Sequence, residues 1–224
     1  MVHNVKGVLF DFNGTMVFDS PQHKKAWGVF SKKYRGIDIS EEEMEQMHGR
    51  TNKTIIELLL KDSVSDEENE QLSKDKEALY REICTNLKDD YHLVEGLEEV
   101  LDELKARNIP MTICSASIKE NIEFFIQRFQ LGRWFCIDNI IYDDGTHANK
   151  ISMFQDGAKA IQVPVEECLI IEDSLSGIKY AHAVHAANII AITSLDKIEE
   201  YEKLAGVNQV ITDYCSFDMS IFKE

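Results

Sequence analysis

The sequence is short of basic residues, of long apolar runs and of paired cysteines. Lys and Arg number 24 against 40 Asp and Glu, a formal net charge of −16 over 224 residues. Such a surface repels nucleic acid and anionic membranes, so neither is expected as a partner. It would repel a phosphorylated substrate as well, unless cations and backbone N–H groups cluster locally to receive it. No run approaches the roughly 20 apolar residues that span a bilayer. The first apolar run, in MVHNVKGVLFDF, is short, ends at an acid and has no small-residue cleavage site behind it. No signal peptide is therefore expected. The five cysteines (Cys84, Cys114, Cys136, Cys168 and Cys215) are scattered, odd in number and without a CxxC pair. They read as reduced thiols of a cytoplasmic protein. There is no internal repeat and no low-complexity segment.

What is present is an alternation. Apolar runs at 5–10, 110–114, 137–142, 168–172, 188–193 and 208–212 have the length and composition of buried strands. Amphipathic stretches of helix length, at 96–107, 117–129, 151–162 and 176–184, fall between most of them. The pattern predicts an α/β fold, a parallel sheet covered by helices, with its site at the C-terminal ends of the strands. The stretch 20–91 breaks the pattern. It contains no convincing strand and reads as helices over about 20–34, 40–47, 51–60 and 65–87. Ser40 with Glu43 and Ser65 with Glu68 fit capping boxes. The expected organisation is a core of residues 1–18 and 92–224 with an inserted helical domain of 19–91.

Four strand ends carry polar residues. In VLFDFNGTMV (8–17) an apolar strand delivers Asp11, and Gly14 permits a tight turn. Taken alone, Asp11 reads as an acid capping a turn. In TICSAS (112–117) Ser115 ends a strand before a helix, where a hydroxyl and free N–H groups suit a phosphate. Ser117 reads as the N-cap of that helix. Lys150, in HANKISMFQ, precedes another helix and taken singly is a surface charge. In LIIEDSLSG (169–177) a strand ends in Glu172 and Asp173, an acid pair that is costly to desolvate without a cation.

In this order and at these positions the four segments resemble the four motifs of the haloacid dehalogenase (HAD) superfamily. The helical insert resembles the cap of the subgroup that includes β-phosphoglucomutase and phosphoglycolate phosphatase. The resemblance implies a HAD-type Rossmann-like core with an all-helical cap. It implies that Asp11 attacks phosphorus to form an aspartyl phosphate, and that Ser115, Ala116 and Lys150 hold the phosphate. It implies Mg²⁺ held by Asp11, the backbone carbonyl of Asn13, Asp173 and Glu172. Oxygen ligands suit that ion, and an anionic Asp approaches a phosphate only where cations offset the repulsion. The expected partner is a small phosphorylated metabolite.

Asn13 departs from the pattern. Relatives usually carry an Asp there that protonates the leaving oxygen, help worth typically about 10²–10⁴-fold. Three readings follow. A substrate with a good leaving group needs no such acid, or His23 shuttles the proton, although His23 also reads as an exposed helix residue. Alternatively the protein binds a phosphorylated ligand and turns it over weakly. Or it resembles phosphonoacetaldehyde hydrolase, with Lys53 as a Schiff-base lysine, though the spacing from Gly49 is one residue too long. HGRTNKTIIELL (48–59) resembles the cap loop that closes over substrate, with Gly49 giving the turn. The position of a phosphate-gripping arginine in β-phosphoglucomutase is Asn52 here, with Arg50 and Lys53 beside it. Lys76 matches a cap lysine of that enzyme and otherwise reads as a solvated helix charge. His182 and His185 lie on a predicted helix without companion zinc ligands. Trp27, Phe30 and Tyr34 are spaced to pack the insert. The function expected first is a Mg²⁺-dependent phosphatase, then a sugar phosphomutase, then a binding or regulatory protein.

Overall fold

Strand β1 (Gly7–Phe10) is buried along its whole length, as a strand covered on both faces must be. It pairs in parallel with β2 (Met111–Ile118) on one side and β4 (Cys168–Glu172) on the other. The parallel strand β3 (Ile141–Asp143) lies beyond β2, and β5 (Asn188–Ile192) and β6 (Gln209–Ile211) lie beyond β4. The order is therefore β3-β2-β1-β4-β5-β6. Strand order reverses between β1 and β4, so the crevice past their C-terminal ends is the topological switch point of the sheet. This computed structural model describes residues 5–47, 50–61 and 64–222. By contacts the chain divides into two units, Met1–Phe18 with His92–Glu224, and Asp19–Tyr91.

In the first unit the sheet is covered by α5 (Leu97–Ala106), α6 (Lys119–Phe129), α7 (Lys150–Ala160), α8 (Leu175–Ala183) and the short α9 (Ile198–Tyr201). Leu9, Ile170 and Ile189 from the strands pack with Phe154 of α7 and Ile178 of α8 in one buried cluster. Each such side chain contributes about 1.5–3 kcal/mol by leaving water.

The second unit is all helical: α1 (Ser20–Arg35), α2 (Glu41–Met47), α3 (Asn52–Leu60) and α4 (Asp66–Asn86). Trp27 and Phe30, on one stripe of α1, pack with Met47, Ile55, Ile56 and Leu59, with Tyr34 against the edge. Ser40 and Glu43 cap each other reciprocally before α2, and Ser65 and Glu68 do so before α4. The chain is thus a parallel α/β Rossmann-like fold with an all-helical insert. Among the described residues no helix is long and apolar enough to cross a membrane.

The structure corrects three local expectations. Strand β2 continues through Ser115 to Ile118, because β3 pairs with it at both Cys114 and Ile118 across an irregular register. Ser117 is therefore a strand residue, and Ile118 holds the N-cap position of α6. Residues 137–139 form a 3₁₀ turn, which shortens the strand expected over 137–142 to its last part. His185 lies beyond α8 with φ of 57°, so it shares no helix with His182.

Candidate active site

Pairing of β1 with β4 fixes the level of the first acid. The Asp11 N–H donates to the Ile171 carbonyl at 3.0 Å, one step past the last register pair of the two strands. Asp11 Oδ1 accepts from Lys150 Nζ at 2.5 Å and Oδ2 from the buried Thr15 hydroxyl at 3.1 Å. Lys150 is the first residue of α7, and the Asn149 side chain caps that helix by accepting from the Ile151 N–H at 2.8 Å. The cap sets where the helix begins and so from where the lysine reaches. Its ammonium also bonds Glu172 Oε1. Gly14 turns the chain after β1 with φ of 78°, and a Cβ there would overlap the Asp173 carboxylate.

Glu172, fully buried at the end of β4, has both oxygens engaged. Oε1 faces Lys150, while Oε2 accepts from the Ser174 N–H at 2.8 Å and hydroxyl at 2.9 Å. A Cβ on Gly177 would overlap this carboxylate, so the start of α8 comes this close only because residue 177 has no side chain. Oxygens of Asp11, Glu172 and Asp173 lie within 4.8 Å of one another. Burial raises the Asp173 carboxyl to about 8, and the neighbouring Asp11 and Glu172 charges push the same way. Burial also raises Asp11, to about 6, with Lys150 opposing and Glu172 adding. Burial works against the Lys150 ammonium, but Asp11 and Glu172 outweigh it and lift its pKa above the ordinary lysine value. Three clustered acids against one lysine leave an excess of negative charge that a divalent cation fits.

Ser115 is buried, and its Oγ accepts from the Ser117 N–H at 3.2 Å, with the exposed Ala116 between them. The Ser117 hydroxyl donates to Asn13 Oδ1 at 2.6 Å. Asp11 and Asn13 thus follow β1, Ser115 lies within β2, Glu172 and Asp173 stand at the end of β4, and Lys150 heads α7. Thr15, Ser117 and Ser174 hold these groups; from the sequence Ser117 is expected only as a helix cap, and Thr15 and Ser174 have no expected role. Only Ser174 leaves a local signal, as the N-cap whose Oγ accepts from the Gly177 N–H.

The remaining sequence candidates belong to the helical unit. Lys76 is buried, not solvated, which corrects the reading of it as a surface charge. Its Nζ donates to Glu77 Oε1 at 2.8 Å and to His23 Nδ1 at 2.7 Å. With Nδ1 accepting, the His23 ring proton sits on Nε2, 3.4 Å from Asp19. The half-buried His23 ring stacks on Tyr80, whose hydroxyl donates to Asp19 and lies 2.9 Å from the Tyr91 hydroxyl. Asn52 donates to Glu77 Oε1 at 2.7 Å, joining the same network. Burial alone would raise Glu77, but Lys76 first, then His23 and Asn52, hold its carboxyl down at about 2. Lys53 is exposed and paired with Asp66 at 2.6 Å, and Arg50 is exposed. Gly49 lies outside the described residues.

A family model described as haloacid dehalogenase-like hydrolase matches residues 5–185. A crystal structure of a HAD hydrolase, family IA, variant 3, from Entamoeba histolytica is 35% identical, with a TM-score of 0.91 over 97% of each chain. A β-phosphoglucomutase from Clostridium difficile shares the fold at 22% identity, with a TM-score of 0.73 over 96% of this chain and 94% of that one. The bifunctional riboflavin kinase/FMN phosphatase of Arabidopsis thaliana is 31% identical over 104 residues, which are 46% of this chain and 27% of that protein. The matched model spans most of the chain and includes every acid of the cluster, so the chain belongs to the haloacid dehalogenase-like hydrolase family.

Proposed function

We propose that this chain is a Mg²⁺-dependent phosphatase of a small phosphorylated metabolite, working through an aspartyl phosphate on Asp11. The observation that carries the reading is Asp11 itself. It stands at a strand end, bonded to Lys150, within a cluster of three acids. An oxygen of Asp11 attacks phosphorus and the ester P–O bond breaks, releasing the alcohol oxygen. Water then attacks the phosphorus of the acyl phosphate, which frees inorganic phosphate and restores the carboxylate. Lys150 and the buried Ser115 hydroxyl are assigned to the phosphate oxygens. Asp11, Asp173 and the Asn13 carbonyl would hold Mg²⁺, with Glu172 contributing charge beside them. Bound there, the ion supplies charge neutralisation between nucleophile and phosphate.

The leaving oxygen receives no proton from Asn13, whose amide N–H is far too weakly acidic to transfer one. Substrates that leave as stable anions, aryl and acyl phosphates, are therefore favoured. His23 has both ring nitrogens engaged within the helical unit, so the reading does not lean on it. A screen of sugar phosphates, acyl phosphates and p-nitrophenyl phosphate, with Mg²⁺ and with chelator, tests the proposal. Mg²⁺-dependent phosphate release is expected, and no release from any of them contradicts it.

Asn13 also favours a second reading, a phosphometabolite binder with slow turnover. Saturable binding of a phosphate ester without release of phosphate would identify it. A sugar phosphomutase ranks behind both, because Asn52 stands where the resemblance would want an arginine and donates its amide to Glu77. A Schiff-base role for Lys53 ranks last, since that ammonium is paired with Asp66.

A further inference from the structure

Between β4 and α8 the chain makes a two-residue link, Asp173 and Ser174, and the Asp173 carbonyl falls outside both hydrogen-bond ladders. The register of β4 with β5 ends at Glu172 opposite Ala191. The helix begins one step later, with the Ile178 N–H bonded to the Ser174 carbonyl. The Gly177 N–H, which a helix continued backwards would turn towards the Asp173 carbonyl, donates to Ser174 Oγ instead, at 3.0 Å. A backbone carbonyl left this way needs a donor from elsewhere. It receives one from a residue 28 positions away, the Tyr201 hydroxyl, at 2.7 Å. The Tyr201 ring is buried in the core cluster of the sheet, so the hydroxyl is aimed from a fixed base.

We propose that Tyr201 is a positioning residue for the metal acid: by holding the Asp173 peptide, it holds the carboxylate in the orientation that binds a divalent cation. This rests on the assignment of Asp173 to Mg²⁺. Groups that orient a metal ligand from behind typically change affinity by roughly 10–100-fold when removed. Tyr201→Phe keeps the ring in the core and removes only the hydroxyl.

The test is Mg²⁺ titration of the natural protein and of Tyr201→Phe by calorimetry, with the metal-free melting temperature of each as the measure of folding. The Mg²⁺ concentration for half-maximal phosphatase activity is read alongside. The expected result is an Mg²⁺ dissociation constant about tenfold higher in the variant. The activation constant should rise in parallel, with kcat at saturating Mg²⁺ within about twofold of natural. A variant that binds Mg²⁺ as the natural protein does overturns the inference and leaves the metal site standing. A variant whose kcat is lost even at saturating Mg²⁺, with affinity unchanged, overturns it too. If the natural protein itself takes up no Mg²⁺, the metal assignment fails and the inference falls with it. Should Tyr201→Phe not fold, Tyr201→Met, which likewise removes the hydroxyl, is read by the same titration and judged by the same outcomes.

Discussion

Lys150 and Asp11, 139 residues apart in the chain, form an ion pair of 2.5 Å that also takes in Glu172. Among the described residues Lys150 is the cation paired with these acids, so its removal leaves like charges facing each other in a buried place. Lys150→Met should lower the stability of the metal-free protein by about 3–5 kcal/mol at pH 8, the cost of stranding one side of a buried pair. The loss should be smaller at pH 5, where protons can neutralise the acids instead. Urea denaturation at the two pH values, with and without Mg²⁺, measures this. Equal losses at both would contradict the charge argument.

The raised carboxyls predict a pH signature. Burial lifts Asp173 to about 8 and Asp11 to about 6, from an ordinary 3.8. A group whose folded pKa is raised contributes stability below its unfolded pKa and loses it as pH rises through the folded value. For these two acids the window is pH 4 to 8, and the metal-free protein should become less stable across it. Mg²⁺ competes with those same protons, so its affinity should climb over this range and level off above pH 8. Thermal melting in chelator and in Mg²⁺ across the pH range checks both slopes. Stability in chelator that does not fall relative to stability in Mg²⁺ counts against the cluster.

The fold was legible wherever local pattern and tertiary environment agree. The fully buried runs of β1 and β4 read as strands, and the reciprocal caps Ser40–Glu43 and Ser65–Glu68 marked two helix starts. The sequence overextends strand β3 because the apolar Ile137, with Asp138 and Asn139, forms a turn that periodicity does not distinguish from a strand. Lys76 looked solvated because its sequence neighbours are charged. What buries it, His23 and Trp27 of α1 beside its own neighbour Glu77, comes largely from another helix and leaves no local mark. Tyr201 escaped for the same reason. Its hydroxyl acts on a peptide at the far side of a strand and a helix, and no motif connects them.

The buried pair in the helical unit gives a prediction of its own. Lys76→Met takes the ammonium away from the buried Glu77 carboxylate and should cost about 3–5 kcal/mol. Adding Glu77→Gln should recover at least half, since a neutral amide still bonds Asn52 and needs no counter-charge. Denaturant midpoints of the two single variants and the double variant decide it. Strictly additive losses would mean that the two side chains act independently.

Asn13 makes leaving-group chemistry the next test. The natural protein should cleave p-nitrophenyl phosphate far faster than glucose 6-phosphate. Asn13→Asp should narrow that gap by speeding the sugar ester, by up to about 10²–10⁴-fold if the new acid is well placed. Ser117, which donates to Asn13 Oδ1 at 2.6 Å, can donate equally to an aspartate there. Ordinary turnover of the sugar ester by the natural protein, with no gain in the variant, would require another proton donor.

The most direct test of the central claim is the rate of phosphate release from p-nitrophenyl phosphate by Asp11→Asn, compared with the natural protein at saturating Mg²⁺. An amide is no nucleophile toward phosphorus, so the variant should fall to background while keeping its fold. A variant within about tenfold of the natural rate would contradict Asp11 as the attacking group.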